Sequence, residues 1–381
     1  MSRGRNVLVA ASVTMTAAVA LAGCGSAATE TSSSAAAGES VDASGAPATD
    51  PLCTVAGALA RLPAPDPGDS GYLTTGDLDA ATAAAGVQRP ERGDPAAVSA
   101  WLEAIGATGG GGGAGEGHGV SALAPAVFSV PAGQQAAVAD EIGVGIADVG
   151  CFAADTAERS RFAVVSASAE RPIDLAAAVG AAAGEQKNGM WTFGSGEDEA
   201  VDPSRSTAAR WNGAPLHLAM LGEDLAISTS AGELTALAGG DAATAADDTG
   251  RAAVASALDA RRVYSAMLPG RTSGDARAMP AAFDAMGVGL AHSGGAPRLI
   301  VAYHQASAAD AQRNADAVAD VLAGDPQLAG RLALVSADVE GTVTTAEFRL
   351  TGMPAASVWA LPMRGASIVT HAGSPGFVRT R

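Results

Sequence analysis

Lysine is almost missing from this chain. Lys187 is the only one in 381 residues, and 23 basic residues face 40 acidic ones, for a formal charge of -17. A surface this acidic repels nucleic-acid phosphate, so no nucleic-acid partner is expected. It repels anionic lipid headgroups too, so membrane attachment has to come from apolar insertion or a covalent lipid. Aromatic residues make up only 4% against 48% hydrophobic residues overall, so the core is expected to pack many small Ala, Val and Leu side chains. Only three cysteines are present, which excludes a dense disulfide scaffold. Long apolar runs are lacking after the first two dozen residues, which argues against a transmembrane protein. The excess of Arg and Ala reflects a GC-rich genome rather than a function.

What is present at the N-terminus is a leader. Met1 to Asn6 carries Arg3 and Arg5, and Val7 to Ala22 is apolar apart from Ser12, Thr14 and Thr16, the layout of a secretory signal. Loss of both arginines with the leader leaves 21 basic against 40 acidic residues, a charge of -19. The leader closes on Leu21-Ala22-Gly23-Cys24, an aliphatic residue, two small ones and a cysteine. This resembles the lipobox of bacterial lipoproteins, with an actinobacterial composition. The resemblance implies cleavage before Cys24, diacylglycerol on its sulfur and often a third acyl chain, palmitate for example, on the freed amine. It gives a location, the outer face of the cell membrane, and no activity. Small residues let a peptidase approach the backbone, and a thiolate is nucleophilic enough to take the lipid. Two or more chains anchor stably where one does not. Ala18-Val19-Ala20 is also an ordinary cleavage site, which would leave Cys24 a free cysteine near a released terminus.

Residues 25 to about 50 are nearly all Ala, Ser, Thr, Gly and acidic residues, a composition expected to form a flexible tether. The two remaining cysteines, Cys53 and Cys151, are an even pair in a chain bound for an oxidising space and are expected to join in a disulfide. The resulting division is a signal peptide at 1–23, a tether at 24–50, a helical N-terminal part at 51–118, a first α+β unit at 119–245 and a second at 246–374.

Asp94-Pro95 followed by Val98, Trp101, Leu102 and Ile105 predicts a capped amphipathic helix with Trp101 in the core. A glycine-rich stretch from Gly109 to Gly119 predicts a loop. Beyond it one unit recurs. Gly143-Val144-Gly145-Ile146-Ala147 precedes a strand at Arg161 to Val165 and a helix at Ile173 to Ala183, and Gly287-Val288-Gly289-Leu290-Ala291 precedes a strand at Arg298 to Ala302 and a helix at Ala308 to Ala323. Further strands are expected at Thr207 to Trp211 and Leu216 to Leu221, joined by an Asn212-Gly213 hairpin turn, and at Leu332 to Ala337 and Thr342 to Leu350. The last alternates polar and apolar residues, as a half-buried antiparallel strand does. The expected fold class is α+β, two strand-strand-helix-strand units with helices on one face of a largely antiparallel sheet.

Signals for chemistry are weak. Gly68-Asp69-Ser70-Gly71 resembles the nucleophile motif of chymotrypsin-like proteases, but Tyr72 stands where glycine is expected and the first histidine, His118, follows the serine instead of preceding it. It reads as a turn before a strand. The G-x-G-x-x-G at Gly110, Gly112 and Gly115 is satisfied by any polyglycine run. His118, His217, His292, His304 and His371 share no metal-binding spacing, so no metal or cofactor is implied. Asp77 and Asp79 fit helix capping and complementing the helix dipole better than acid–base work. No catalytic set emerges, so the favoured reading is a non-enzymatic lipoprotein contacting an envelope protein or a small hydrophobic ligand. The alternatives are an exported hydrolase around His292 and His304, and a structural spacer.

Overall fold

The computed structural model describes residues 50–65, 71–107, 120–156, 161–183, 186–195, 200–210, 212–240, 242–270 and 278–371. Cys24, the leader, the tether, Gly68 to Ser70, the Gly109 to Gly119 run and His118 lie outside them.

Local chemistry sets the element boundaries. Thr54 caps α1 (Val55–Leu59) through Gly57 N, and the carboxylate of the distant Asp259 accepts from the Val55 and Ala56 amides at 2.7 and 3.0 Å. Strand β1 (Tyr72–Asp77) runs straight into α2 (Leu78–Ala85), whose N-cap is Asp77 and whose end is marked by Gly86 in the left-handed region. Asp94 caps α3 (Pro95–Ala104), with proline at its first position. Then come α4 (Gln135–Ile142), ended by Gly143 at φ 82°, β2 (Val149–Asp155), β3 (Phe162–Ala167), α5 (Leu175–Ala183), β4 (Met190–Phe193), β5 (Leu216–Leu221), β6 (Asp224–Ser228) and α6 (Ala231–Ala238). The chain continues through α7 (Thr249–Ala260), β7 (Val263–Pro269), β8 (Ala285–Ser293), β9 (Ala296–His304), α8 (Ala308–Gly324), β10 (Leu332–Glu340), β11 (Val343–Leu350) and α9 (Leu361–Arg364).

The fold is mixed α+β, with 38% helix and 29% strand. Among the described residues the strands form one eleven-stranded antiparallel sheet in the order β10-β11-β9-β8-β7-β1-β2-β3-β6-β5-β4. From the central β1–β7 pair outward, the order is β1-β2-β3-β6-β5-β4 on one side and β7-β8-β9-β11-β10 on the other, so the first side carries one strand more.

Alternate residues on each strand point to opposite faces, and both faces are apolar. One carries Phe152, Val165, Val288, Val301 and Phe348 and is covered by α2 to α5, α8 and α9. The other carries Cys151, Ala153, Val164, Ile300 and Ala302 and is covered by α1, α6 and α7. Helices therefore lie on both faces, not on one as the sequence suggested. The central strands are buried on both sides, so β2 and β3 read as nearly continuous apolar runs and lose the polar alternation of a half-exposed strand. Gly76 on β1 is needed here, because a Cβ would run into the Phe152 ring opposite it.

Several expected elements differ. The 51–118 part is not only helical: it supplies β1, which lies between β7 and β2. All the described residues fall in one compact unit, Thr49–Arg381. Gly287-Val288-Gly289 lies inside β8, whereas Gly143-Val144-Gly145 is a helix cap leading into a 3-10 turn at Ile146–Asp148. The strand that does precede β3 is β2. Thr207 to Arg210 forms no strand and Trp211 lies outside the described residues. Asn212-Gly213 closes no hairpin; β5 instead turns into β6 at Gly222-Glu223 and pairs on its other side with β4.

Candidate functional site

The sulfurs of Cys53 and Cys151 form a disulfide, which ties the turn before α1 to the central strand β2. Asp77 sits opposite Cys151 in the β1–β2 ladder, and its carboxylate and the two sulfurs lie within 4.8 Å of one another. Sulfurs bonded to each other have no thiolate to offer, so the trio as it stands is not a metal centre. Asp77 Oδ1 accepts from Ala80 N at 2.7 Å and caps α2, while burial raises its carboxyl above the ordinary range. Asp79 does not cap. It accepts from Ser168 Oγ and Ala169 N at 2.7 and 2.9 Å and pairs with Arg89, tying α2 to the segment after β3. Trp101 is in the core, where its Nε1 donates to Thr82 Oγ1 and Arg89 lies over its ring.

The histidines do not converge. His304 opposes Ala285 in the β8–β9 ladder and His292 opposes Pro297, seven residues further along β8 and about 20 Å away. His304 Nδ1 lies 2.6 Å from Asp284 Oδ1, next to Gly250 of α7. No hydroxyl or thiol bonds to His304 among the described residues, so this pair has no nucleophile to activate. His371 lies edge-on to Phe283, 4.6 Å between ring centres, against the opposite face of the sheet from His304. His217 on β5 shares a hydrogen bond with Thr192 on β4.

Sequence reasoning did not find the cleft that the fold does make. It is shallow and open to solvent, and the space between its walls comes to about 450 Å³ only when the open solvent at its mouth is counted in. Its floor is the sheet, with Ala163 on β3, Leu216 on β5 and Ile227 on β6. One wall is Ala126 and Val127, and the other is the segment ahead of β5, with Ala209, Arg210, Asn212 and Ala214. Asp155 and Arg161 stand at the end of the β2–β3 hairpin, where burial lowers the Arg161 guanidinium below its usual value. The lining is mostly apolar with a few polar groups at the edge, the pattern of a small-molecule site.

The wall ahead of β5 is a folded turn. Thr207 N donates to Arg210 O, Gly213 N donates to Arg210 O, and Asp202 N donates to Asn212 O. Gly213 has φ 73°, and a Cβ there would collide with the Asp202 carbonyl. Glu141 at the end of α4 holds this turn. It accepts from Thr207 Oγ1 at 2.7 Å, Ala209 N at 3.1 Å and Arg210 Nε at 3.1 Å.

Among the described residues no helix is long and apolar enough to cross a membrane. No protein-family model, curated protein or solved structure matches the chain.

Proposed function

We propose that this chain is an exported lipoprotein, anchored to the outer face of the cell membrane through lipid on Cys24, whose folded unit binds a small apolar molecule without transforming it. Leu21-Ala22-Gly23-Cys24 after an apolar leader supports the location. The observation that carries the binding is the open cleft over β3, β6 and β5, apolar at its floor and polar at its edge. The hydrolase alternative loses its motive, because the histidines it invoked stand at opposite ends of the β8–β9 ladder. The shared strand order about the β1–β7 pair supports reading the sheet as two copies of one unit, with α5 and α8 in corresponding places.

Two measurements test this. Intact mass of the protein from membranes should show an acylated N-terminus, and Cys24→Ala should release it to the soluble fraction; an unacylated mature chain that still sediments with membranes overturns the location. For binding, N-phenyl-1-naphthylamine, a neutral apolar fluorophore, should brighten with the full chain. Ala126→Trp, which adds bulk at a half-exposed wall position, should reduce that signal at least tenfold. An equal signal from both proteins rejects the cleft.

A further inference from the structure

We propose that Cys53, Cys151 and Asp77 form a redox-gated site for a divalent cation of the zinc class, closed while the two sulfurs are bonded and available once a dithiol has reduced them. In the disulfide form the three ligand atoms already lie within 4.8 Å of one another. Asp77 and Cys151 are direct partners in the β1–β2 ladder, so their side chains leave the sheet on the same face as near neighbours. Cys53 reaches the same point from the turn Pro51–Cys53 ahead of α1. Two thiolates and a carboxylate are a donor set that suits zinc, and three protein ligands leave the fourth tetrahedral position to water. None of the three lines the cleft, so the site stands apart from the binding reading.

Its geometry does not depend on the sulfur–sulfur bond. Strand β1 is hydrogen-bonded on both sides, to β2 and to β7. The Cys53 turn is anchored by Leu52, which is 1% exposed, and by Asp259 of α7, which accepts from the first amides of α1 at 2.7 and 3.0 Å. Opening the disulfide therefore frees two sulfurs that stay close together. Cys151 is wholly buried while Cys53 and Asp77 are half-buried, so an ion arrives from their side. Asp77 also lacks a cation of its own. Among the described residues no basic side chain pairs with it, and Arg89 pairs with Asp79 instead. Its Oδ1 caps α2, and a carboxylate has lone pairs to spare for a metal. In the reduction the dithiol supplies two electrons and two protons, its own sulfurs joining in a ring as the Cys53–Cys151 bond breaks to two thiols. The metal then displaces both thiol protons to water and forms two bonds to sulfur and one to oxygen.

The test uses the full chain with Cys24→Ser, so that Cys53 and Cys151 are its only cysteines. Cobalt(II) alone is the probe, because it substitutes for zinc and absorbs in the near ultraviolet when a thiolate binds it. One equivalent should produce that absorption in the reduced chain and none in the oxidised one, and zinc, which binds such sites more tightly, should abolish it. Asp77→Asn keeps a good helix cap and should weaken cobalt binding at least tenfold. Circular dichroism follows the fold throughout. A folded reduced chain that takes up no cobalt overturns the proposal. So does an Asp77→Asn chain that binds as tightly as its parent, which would leave a chelating thiol pair and no three-ligand site. If reduction unfolds the chain, cobalt should refold it, and Asp77→Asn should need at least ten times more metal to do so. A reduced chain that stays unfolded at saturating cobalt overturns the proposal as well.

Discussion

Helices α5 and α8 each follow a β-hairpin, β2–β3 in one half of the sheet and β8–β9 in the other, yet α5 has 9 residues and α8 has 17. The longer helix packs on β10 and β11 and fixes itself with buried polar bonds. Asn314, wholly buried, accepts from Ala281 N at 2.8 Å and donates to its carbonyl at 3.0 Å, and Thr344 Oγ1 donates to Ala311 O at 2.8 Å. Bonds sealed from water are costly to break, because the freed groups find no replacement partner. The shorter helix packs on β4 and β6 and buries Leu175 and Val179 among its residues. A turn ahead of β5, held by one half-exposed carboxylate, completes the cover. The cleft thus lies in the half with the shorter helix, and one of its walls is held by that carboxylate.

The largest test of that contrast is the disulfide. Cys53 and Cys151 are 98 residues apart, and closing a loop of that size stabilises by about 4 to 5 kcal/mol in the chain-entropy model. Replacing both by serine should lower the unfolding free energy by that order in denaturant titration. It should also speed amide exchange in β2 and β3 more than in β8 and β9. Equal loss of protection in both halves would mean that the sheet opens as one body and that the two halves do not differ in local stability.

Core truncation comes next. Phe348 on β11 is wholly buried under the α8 face, and Phe348→Ala should cost about 3 to 5 kcal/mol because nothing beside it can collapse into the space. Ile227 on β6 already borders the cleft, so Ile227→Ala enlarges an existing space and should cost about 2 kcal/mol, the low end for such changes. Chemical denaturation of the pair decides. If Ile227→Ala costs as much as Phe348→Ala, the first half is packed as tightly as the second.

Both halves were partly legible in sequence, since Arg161 to Val165, Ile173 to Ala183 and Leu216 to Leu221 fell on β3, α5 and β5 within a residue or two. The alternation of Val343 to Leu350 and the long amphipathic run from Ala308 matched β11 and α8 within a residue or two. The Asp94-Pro95 cap placed α3 as well. The first half misled because glycine serves two different physical ends. Gly143 is a left-handed helix cap, whereas Gly287 and Gly289 leave room on β8 for Val254, Leu258 and Val263, so a shared Gly-Val-Gly marked no shared element. Strand β2 was overlooked because burial on both faces removes the alternation that marks a strand. The cleft left no pattern in the sequence at all. One of its walls depends on a glutamate 66 to 69 residues earlier in the chain, a contact that no local spacing encodes.

The smallest effect separates the two halves by pH. The β5–β6 turn ends in Asp224, buried and paired with Arg61 at 3.2 Å, and burial pushes its carboxyl up to about 6 against an ordinary 3.8. The β10–β11 turn at Gly341-Thr342 is flanked by the exposed Glu340. Between about pH 4 and 6 the unfolded chain has already lost the Asp224 proton and the folded chain still holds it. The folded state then binds more protons, and its stability falls as pH rises through that window, levelling off above about 6. Water reaches the site past Arg61, which is 38% exposed, and softens the desolvation of Asp224, so the change stays at about 1 kcal/mol. Asp224→Asn removes the titrating group, so its Tm relative to wild type should rise across that window and then hold. A Tm difference that stays constant from pH 4 to 7 would mean that Asp224 ionises in the folded protein as freely as in the unfolded one, and that the first half has no acid-sensitive turn to set against the second.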